Sequence, residues 1–140
     1  LVQPAGLRTA TQMLIFMSGN SLTRQASGPT LEAADKFLDQ GSDGMRKGVD
    51  ANDLLYAVDA SRDYDPGPRL GEIRAPLLAI NFADDLINPP ELGILEREIR
   101  RVPKGRAIVI PMSAATVGHG THTRAAVWKR YLARFLRSTD

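Results

Sequence analysis

Leu77-Leu78-Ala79-Ile80-Asn81-Phe82 is the stretch that decides which fold this sequence predicts. It is a nearly continuous apolar run, preceded by Ala75-Pro76 and followed by Ala83-Asp84-Asp85. A short apolar run between turn residues is typical of a strand that is buried on both faces of a parallel sheet. We therefore predict a strand over residues 76–82 that leads into an acidic loop.

A helix, a second strand and a last helix are predicted after this loop. Asn88-Pro89-Pro90-Glu91 is a strong helix start, and apolar residues recur at helical spacing over 92–102. Residues 106–111 form the second apolar run, and another helical stripe covers 125–135. The order strand, helix, strand, helix predicts an α/β fold in which the two strands are parallel neighbours.

The first 62 residues show a different pattern, which contains no convincing strand. Residues 4–17 and 53–61 carry apolar side chains at helical spacing, and Thr30 is a suitable N-cap for a helix between them. The polar residues 22–29 and the glycines at 41, 44 and 48 are expected to lie in loops. The sequence thus predicts a helical segment over 1–62 and a βαβα part over 63–140.

The overall composition excludes several classes of protein. The 140 residues are 43% hydrophobic and contain no cysteine, which fits a globular domain without disulfides or thiolate chemistry. The net charge of +2, with cations and anions interspersed, gives no reason to expect a nucleic-acid partner. No apolar run reaches membrane-spanning length, so we expect no membrane partner. Because the chain begins at Leu1 without a methionine, we interpret it as the C-terminal part of a longer protein.

A second loop of interest, Thr116-Val117-Gly118-His119-Gly120-Thr121-His122, follows the second predicted strand. Functional groups of parallel sheets gather at the carboxyl ends of the strands, and neighbouring strands lie about 4.8 Å apart. We therefore expect the acidic loop and the histidine loop to meet. A carboxylate there would hold the imidazole of His119 in one tautomer, and the other ring nitrogen would take a proton from a serine.

Several assignments within these loops compete. We assign Asp85 as the acid because Pro89, four residues on, places the next helix just beyond it, and we expect Asp84 to be an exposed loop carboxylate or a turn former. His122 is expected to begin the last helix and to point outward or act as a cap.

The alternative for His119 is a loop histidine that only forms a hydrogen bond with a nearby carbonyl group. A metal site of His119, His122 and an Asp would lack a further His or Cys ligand, so we predict no metal.

The nucleophile is the missing component. The 140 residues contain no Gly-x-Ser-x-Gly motif, and the nearest approach to one is Gly19-Asn20-Ser21-Leu22-Thr23. The helical spacing over residues 7–17 and the absence of a second glycine indicate that Ser18-Gly19 simply ends a helix. We therefore do not assign Ser21 as the nucleophile.

Three stretches together resemble the C-terminal part of proteins with the α/β-hydrolase fold, and within these the homoserine O-acetyltransferase-like group. They are Ile73–Ile80, Asp84–Glu91 and Gly118-His119-Gly120, and the resemblance is strongest over residues 50–137. The resemblance implies that residues 1–62 are a helical lid and 63–140 the C-terminal part of the α/β-hydrolase core. It further implies a Ser-Asp-His triad and acyl-enzyme chemistry without a cofactor, with Asp85 as acid, His119 as base and a serine upstream of Leu1.

One departure affects the substrate that this resemblance implies. In homoserine acetyltransferases the catalytic histidine is typically followed by an aspartate that helps to hold the amino group of homoserine, whereas Gly120 follows here. A hydrolase of another small ester or amide is therefore an equal expectation, with a small-molecule ester or acyl donor as partner. Should the protein form a homodimer, the lid helices are the expected contact surface. The alternative is a non-catalytic binding or lid fragment.

Overall fold

The computed structural model describes residues 3–139, which divide into two units. The first unit is formed by the described residues through Met17 and by Ser21–Tyr64, and the second by Ser18–Asn20 together with the chain from Asp65 onward. The helices of the first region are α1 Gly6–Ser18, α2 Ser21–Ser27, α3 Leu31–Gly48 and α4 Ala51–Asp59. Among the described residues, none of the helices combines the length and apolarity needed to cross a bilayer.

Packing in the first unit centres on one face of α1. Leu7, Thr11 and Ile15, spaced four residues apart, are its buried residues. The hydroxyl of Thr11 lies 2.8 Å from that of Ser42 on α3, and both side chains are fully buried. Thr30 caps α3 by accepting a hydrogen bond from the Ala33 N–H, as the sequence predicts.

Two loop predictions in this unit are wrong. The sequence predicts irregular structure over residues 22–29, but α2 occupies most of them, and α3 continues through Gly41 and Gly44 to Gly48. Packing explains why a glycine lies within α3 at position 41, since a Cβ there would lie 3.2 Å from Cδ1 of Ile15. The glycine at this position lets two helices approach closely, and tertiary packing thereby overrides its poor helix propensity.

The second unit contains β1 Leu77–Phe82, α5 Ile94–Ile99, β2 Gly105–Ile110 and α6 Ala125–Arg137. The strands pair in parallel with Leu77 opposite Gly105 and Phe82 opposite Ile110, which confirms the predicted parallel neighbours. The last residue of each strand is buried, whereas the preceding residues of β1 are only half-buried. The carboxyl ends of the strands are therefore the best-covered part of the sheet.

The helix between the strands begins later than the sequence predicts. Pro90–Leu92 form a short 3-10 turn, and α5 starts only at Ile94. Gly93 separates the two because its backbone adopts the left-handed conformation, with φ at 64°. A glycine takes this conformation without the steric cost that other residues meet, so it ends the turn and redirects the chain.

Candidate active site

The histidine loop is held by its own backbone and by two buried threonines. Thr116 and Thr121 are fully buried, and the Thr121 hydroxyl accepts a 2.8 Å hydrogen bond from the Val117 N–H. Gly118 has φ at 64°, and the chain then turns through a 3-10 helix over Gly120–Thr123, with His119 directly before it. The His119 side chain is about one third exposed, whereas Thr116, Gly118 and Thr121 of the same loop are buried.

Asp85 is the carboxylate that contacts this histidine. Its Oδ1 accepts hydrogen bonds from the backbone N–H groups of Ile87 and Asn88, at 2.8 and 2.9 Å. Its Oδ2 lies 2.9 Å from Nδ1 of His119. The contact expected between the acidic and histidine loops is therefore present, and the carboxylate that makes it is that of Asp85 rather than that of Asp84. Whether the pair is catalytic stays a prediction.

The ionisation of Asp85 follows from its surroundings, and only 4% of this residue is exposed. Burial acts to raise the pKa of Asp85, but the hydrogen bonds from Asn88, His119 and Ile87 outweigh it and hold the pKa below its ordinary value. An ionised carboxylate only accepts, so Nδ1 of His119 is the donor. In a neutral ring the lone pair then resides on Nε2, which is the nitrogen suited to take a proton.

Asp84 does not lie where the sequence predicts. It is 9% exposed rather than an exposed loop carboxylate, and its Oδ2 accepts hydrogen bonds from Nδ2 of Asn20 at 2.5 Å and from the Gly118 N–H at 2.9 Å. Burial acts to raise the pKa of Asp84, but the hydrogen bonds that it accepts, first among them that from Asn20, outweigh it and keep the pKa below its usual range. The expectation of an exposed carboxylate is wrong because sequence spacing carries no information about the distant Asn20, whereas the alternative of a turn former is not contradicted.

His122 precedes the last helix, in the 3-10 turn, and is exposed. Its Nδ1 lies 2.6 Å from the carbonyl oxygen of His119, and the two imidazole rings are 5.0 Å apart between centroids. A carbonyl oxygen only accepts, so Nδ1 of His122 donates this bond. The side chain therefore supports the turn after His119. Among residues 3–139, no group of three His, Asp or Glu side chains has the arrangement of a metal site.

A cavity of about 500 Å³ borders the Asp85–His119 pair. Both side chains line it, together with residues 79–82 of β1 and a mainly apolar set from the following loop and α5. The apolar members from that loop and helix are Ile87, Pro89, Pro90, Leu92, Ile94 and Leu95. The described lining includes the carboxylates of Asp85 and Glu98 but no Lys or Arg, so this part of the cavity offers no Lys or Arg to an anionic group.

The remaining sequence candidate, Ser21, is not among the residues that line this cavity. Ser21 is the first residue of α2 and is exposed, and it lines a different cavity, formed by α1, α2 and α3 of the first unit. The sequence analysis missed Asn20, which is 3% exposed and uses Nδ2 to bond both Asp84 and the carbonyl oxygen of Thr116. No motif marks Asn20, because its two partners lie 64 and 96 residues away.

Comparisons with known proteins find a similar fold in one solved structure. No protein-family model matches the sequence, and no curated protein matches it. Among solved structures, the chain is similar to the crystal structure of homoserine O-acetyltransferase from Bacillus anthracis, with a TM-score of 0.76 and 18% sequence identity. The alignment covers 96% of this chain and 42% of that chain, so this chain spans less than half of its length. The chain thus resembles part of that fold.

Proposed function

We propose that this chain is the C-terminal part of an acyl-transfer enzyme with the α/β-hydrolase fold, either a serine hydrolase or a homoserine O-acetyltransferase-like acyltransferase. Residues 1–62 would be its helical lid and 63–140 the end of its core. The observation that carries the proposal is the 2.9 Å hydrogen bond between Asp85 and His119, at the carboxyl ends of two parallel strands. The fold likeness to a homoserine O-acetyltransferase supports it.

The proposed chemistry needs a serine from another part of the full-length protein. Nε2 of His119 takes the proton of that serine as its Oγ forms a bond to the acyl carbon, while Asp85 stabilises the imidazolium. The bond to the leaving alcohol then breaks, and Nε2 returns the proton to the leaving oxygen. In the second half, water or an acceptor alcohol gives its proton to Nε2 and takes the acyl group. The serine regains its proton as it leaves.

The unpaired edge of β1 indicates where that serine would enter. Parallel sheets are normally wider than two strands and covered on both faces, yet in the described part of the chain β1 pairs only with β2. The cavity beside His119 runs along residues 79–82 of this strand. Further strands at this edge would widen the sheet and bring their carboxyl ends, where a nucleophile is expected, toward the cavity that His119 lines.

The proposed substrate is a small ester or acyl donor with an apolar, uncharged acyl part. The mainly apolar lining of the cavity supports this acyl part, and Gly120, which stands where an amino-acid acetyltransferase typically has an aspartate, argues against an amino-acid acceptor. The described lining of this cavity contains no cation for the carboxylate of an amino acid. The competing proposal is a non-catalytic fragment that binds a ligand or partner. The unpaired sheet edge, taken alone, fits that proposal equally well.

A labelling experiment separates the two functions. The full-length protein that carries this chain would be treated with a fluorophosphonate probe, which reacts with an activated serine, and the labelled residue would be mapped by mass spectrometry. We expect one labelled serine outside these 140 residues, and no labelling in the His119→Ala variant. A folded full-length protein that takes up no probe, or a variant that labels as fast as the wild type, would exclude the enzyme.

A further inference from the structure

We propose that Asp84 and Asn20 position the catalytic loop, and that they act through the backbone of Gly118 rather than on the substrate. This inference rests on the proposed function for its kinetic consequences, but its geometry is independent of it. We call the three residues Asn20, Asp84 and Gly118 the loop-anchoring cluster. Its carboxylate is adjacent in sequence to Asp85, and its glycine is adjacent to His119.

The hydrogen bonds of the cluster connect three distant parts of the chain. Nδ2 of Asn20 donates to Oδ2 of Asp84 and, at 3.0 Å, to the carbonyl oxygen of Thr116, so both hydrogens of the amide are used. The same Oδ2 accepts the N–H of Gly118. The acidic loop and the histidine loop are thereby held together by a second set of bonds, separate from the contact between Asp85 and His119.

Burial makes these bonds effective in fixing a position. Asn20 and Asp84 are 3% and 9% exposed, and Gly118 approaches the backbone so closely that a Cβ would lie 2.3 Å from the Gly19 carbonyl oxygen. Buried hydrogen bonds restrict a structure to one arrangement, since any shift leaves a donor unpaired. The imidazole of His119 is only one residue from the anchored amide, so its distance to Asp85 depends on that amide.

Substitution of Asp84 tests the cluster, because asparagine and alanine are expected to lower kcat to different extents. The Asp84→Asn variant retains a carbonyl oxygen that can accept from both donors, so we expect it to keep kcat within about tenfold of the wild type. Asp84→Ala removes the acceptor. We expect kcat to fall by about a hundredfold with little change in KM, the penalty of a misplaced catalytic group. Asp63→Ala, at an exposed carboxylate, is the control and should behave as wild type.

Asn20 provides a second pair of variants should Asp84→Ala fail to fold. Asn20→Ala removes one donor and leaves the bond from Gly118 to Asp84, so we expect a fall in kcat of about tenfold. Asn20→Asp is nearly isosteric but places a second carboxylate against Asp84 and against the Thr116 carbonyl oxygen, and should be more damaging than alanine. A loss of packing alone would give the opposite order, because aspartate preserves the volume of the side chain.

The deciding measurement is the low-field proton resonance of the Nδ1–H of His119 in the full-length protein, assigned by its absence from His119→Ala. We expect this resonance in the wild type and in Asp84→Asn, and its loss or broadening in Asp84→Ala. A wild-type resonance and wild-type kcat in Asp84→Ala would overturn the inference. If the wild type turns over no ester at all, the proposed function fails, and the resonance still decides whether the cluster positions the loop.

Discussion

The two glycines beside His119 provide the sharpest test of the loop geometry. Each is to be replaced by alanine, which adds one methyl group on either side of the same imidazole. Gly118 has φ at 64°, and a Cβ there would lie 2.3 Å from the Gly19 carbonyl oxygen and 2.7 Å from its carbonyl carbon. At Gly120 the corresponding contacts are 3.4 Å to Cγ2 of Val117 and 3.5 Å to the Ser18 carbonyl oxygen, which are ordinary van der Waals distances.

The expected free-energy costs differ accordingly. Alanine in the left-handed region costs about 1–2 kcal/mol. The backbone overlap at Gly118 forces a shift that adds about 1–3 kcal/mol. We therefore expect Gly118→Ala to lower the free energy of unfolding by about 2–5 kcal/mol. Gly120→Ala meets neither obstacle and should change that free energy by less than about 1 kcal/mol, since alanine there also restricts the unfolded chain.

Urea unfolding and ester turnover of the full-length protein measure both effects. Gly118→Ala should also reduce turnover by about a hundredfold, because the shift needed at residue 118 moves His119 away from Asp85. Gly120→Ala should stay within about tenfold of the wild type. Equal unfolding free energies for Gly118→Ala and the wild type, or equal loss of stability and turnover in the two variants, would refute this loop geometry.

Four further outcomes are expected. In the full-length protein, His119→Ala and Asp85→Asn should each lower kcat by about a thousandfold or more in steady-state assays, and the double variant should be little worse than either. His122→Ala should lower it by less than about tenfold, because its ring donates to a carbonyl and has no part in proton transfer. The folded-state pKa values of Asp84 and Asp85 are lowered, so their stabilisation should be present above about pH 4 and disappear as pH falls further. In urea unfolding, the free energy of unfolding of the wild type should therefore fall more steeply below about pH 4 than that of Asp84→Asn. The isolated 140-residue chain should not turn over p-nitrophenyl acetate. Robust turnover that is abolished by Ser21→Ala would show that Ser21 is the nucleophile after all.

The parts of the fold that could be predicted are those that local sequence determines. The strands at 77–82 and 105–110 are short apolar runs between turn residues, and their parallel pairing follows from the helix between them. The long helix over 31–48 could not be predicted through its glycines, because the side chain that packs against Gly41 belongs to Ile15 on another helix. Local propensity argues for a loop there, and a contact with a segment distant in sequence overrides it.

The same distinction applies within the candidate site. Pro89 and the turn that precedes it favour Asp85 as the carboxylate that contacts His119. The side chain of Asp85 accepts hydrogen bonds from the backbone N–H groups of residues 87 and 88, and such a local arrangement can be predicted from the sequence. The position of Asp84 depends on Asn20, which is 64 residues away, and no spacing rule reaches that far. Local hydrogen bonds can be predicted from residue types in order, whereas a buried donor from a distant segment appears only with the structure.

Two adjacent aspartates therefore have different structural roles, and the difference determines what each tolerates. Asp85 uses its two oxygens for different donors, so an amide at position 85 turns an NH₂ group either toward the backbone N–H groups or toward Nδ1 of His119. Asp84 accepts from Asn20 and from Gly118 on one oxygen, and an amide can supply that oxygen unchanged. In the proposed mechanism the charge of Asp85 stabilises an imidazolium, whereas the task proposed for Asp84 requires only an acceptor. Asparagine should therefore be severe at position 85 and mild at position 84, although both carboxylates are buried.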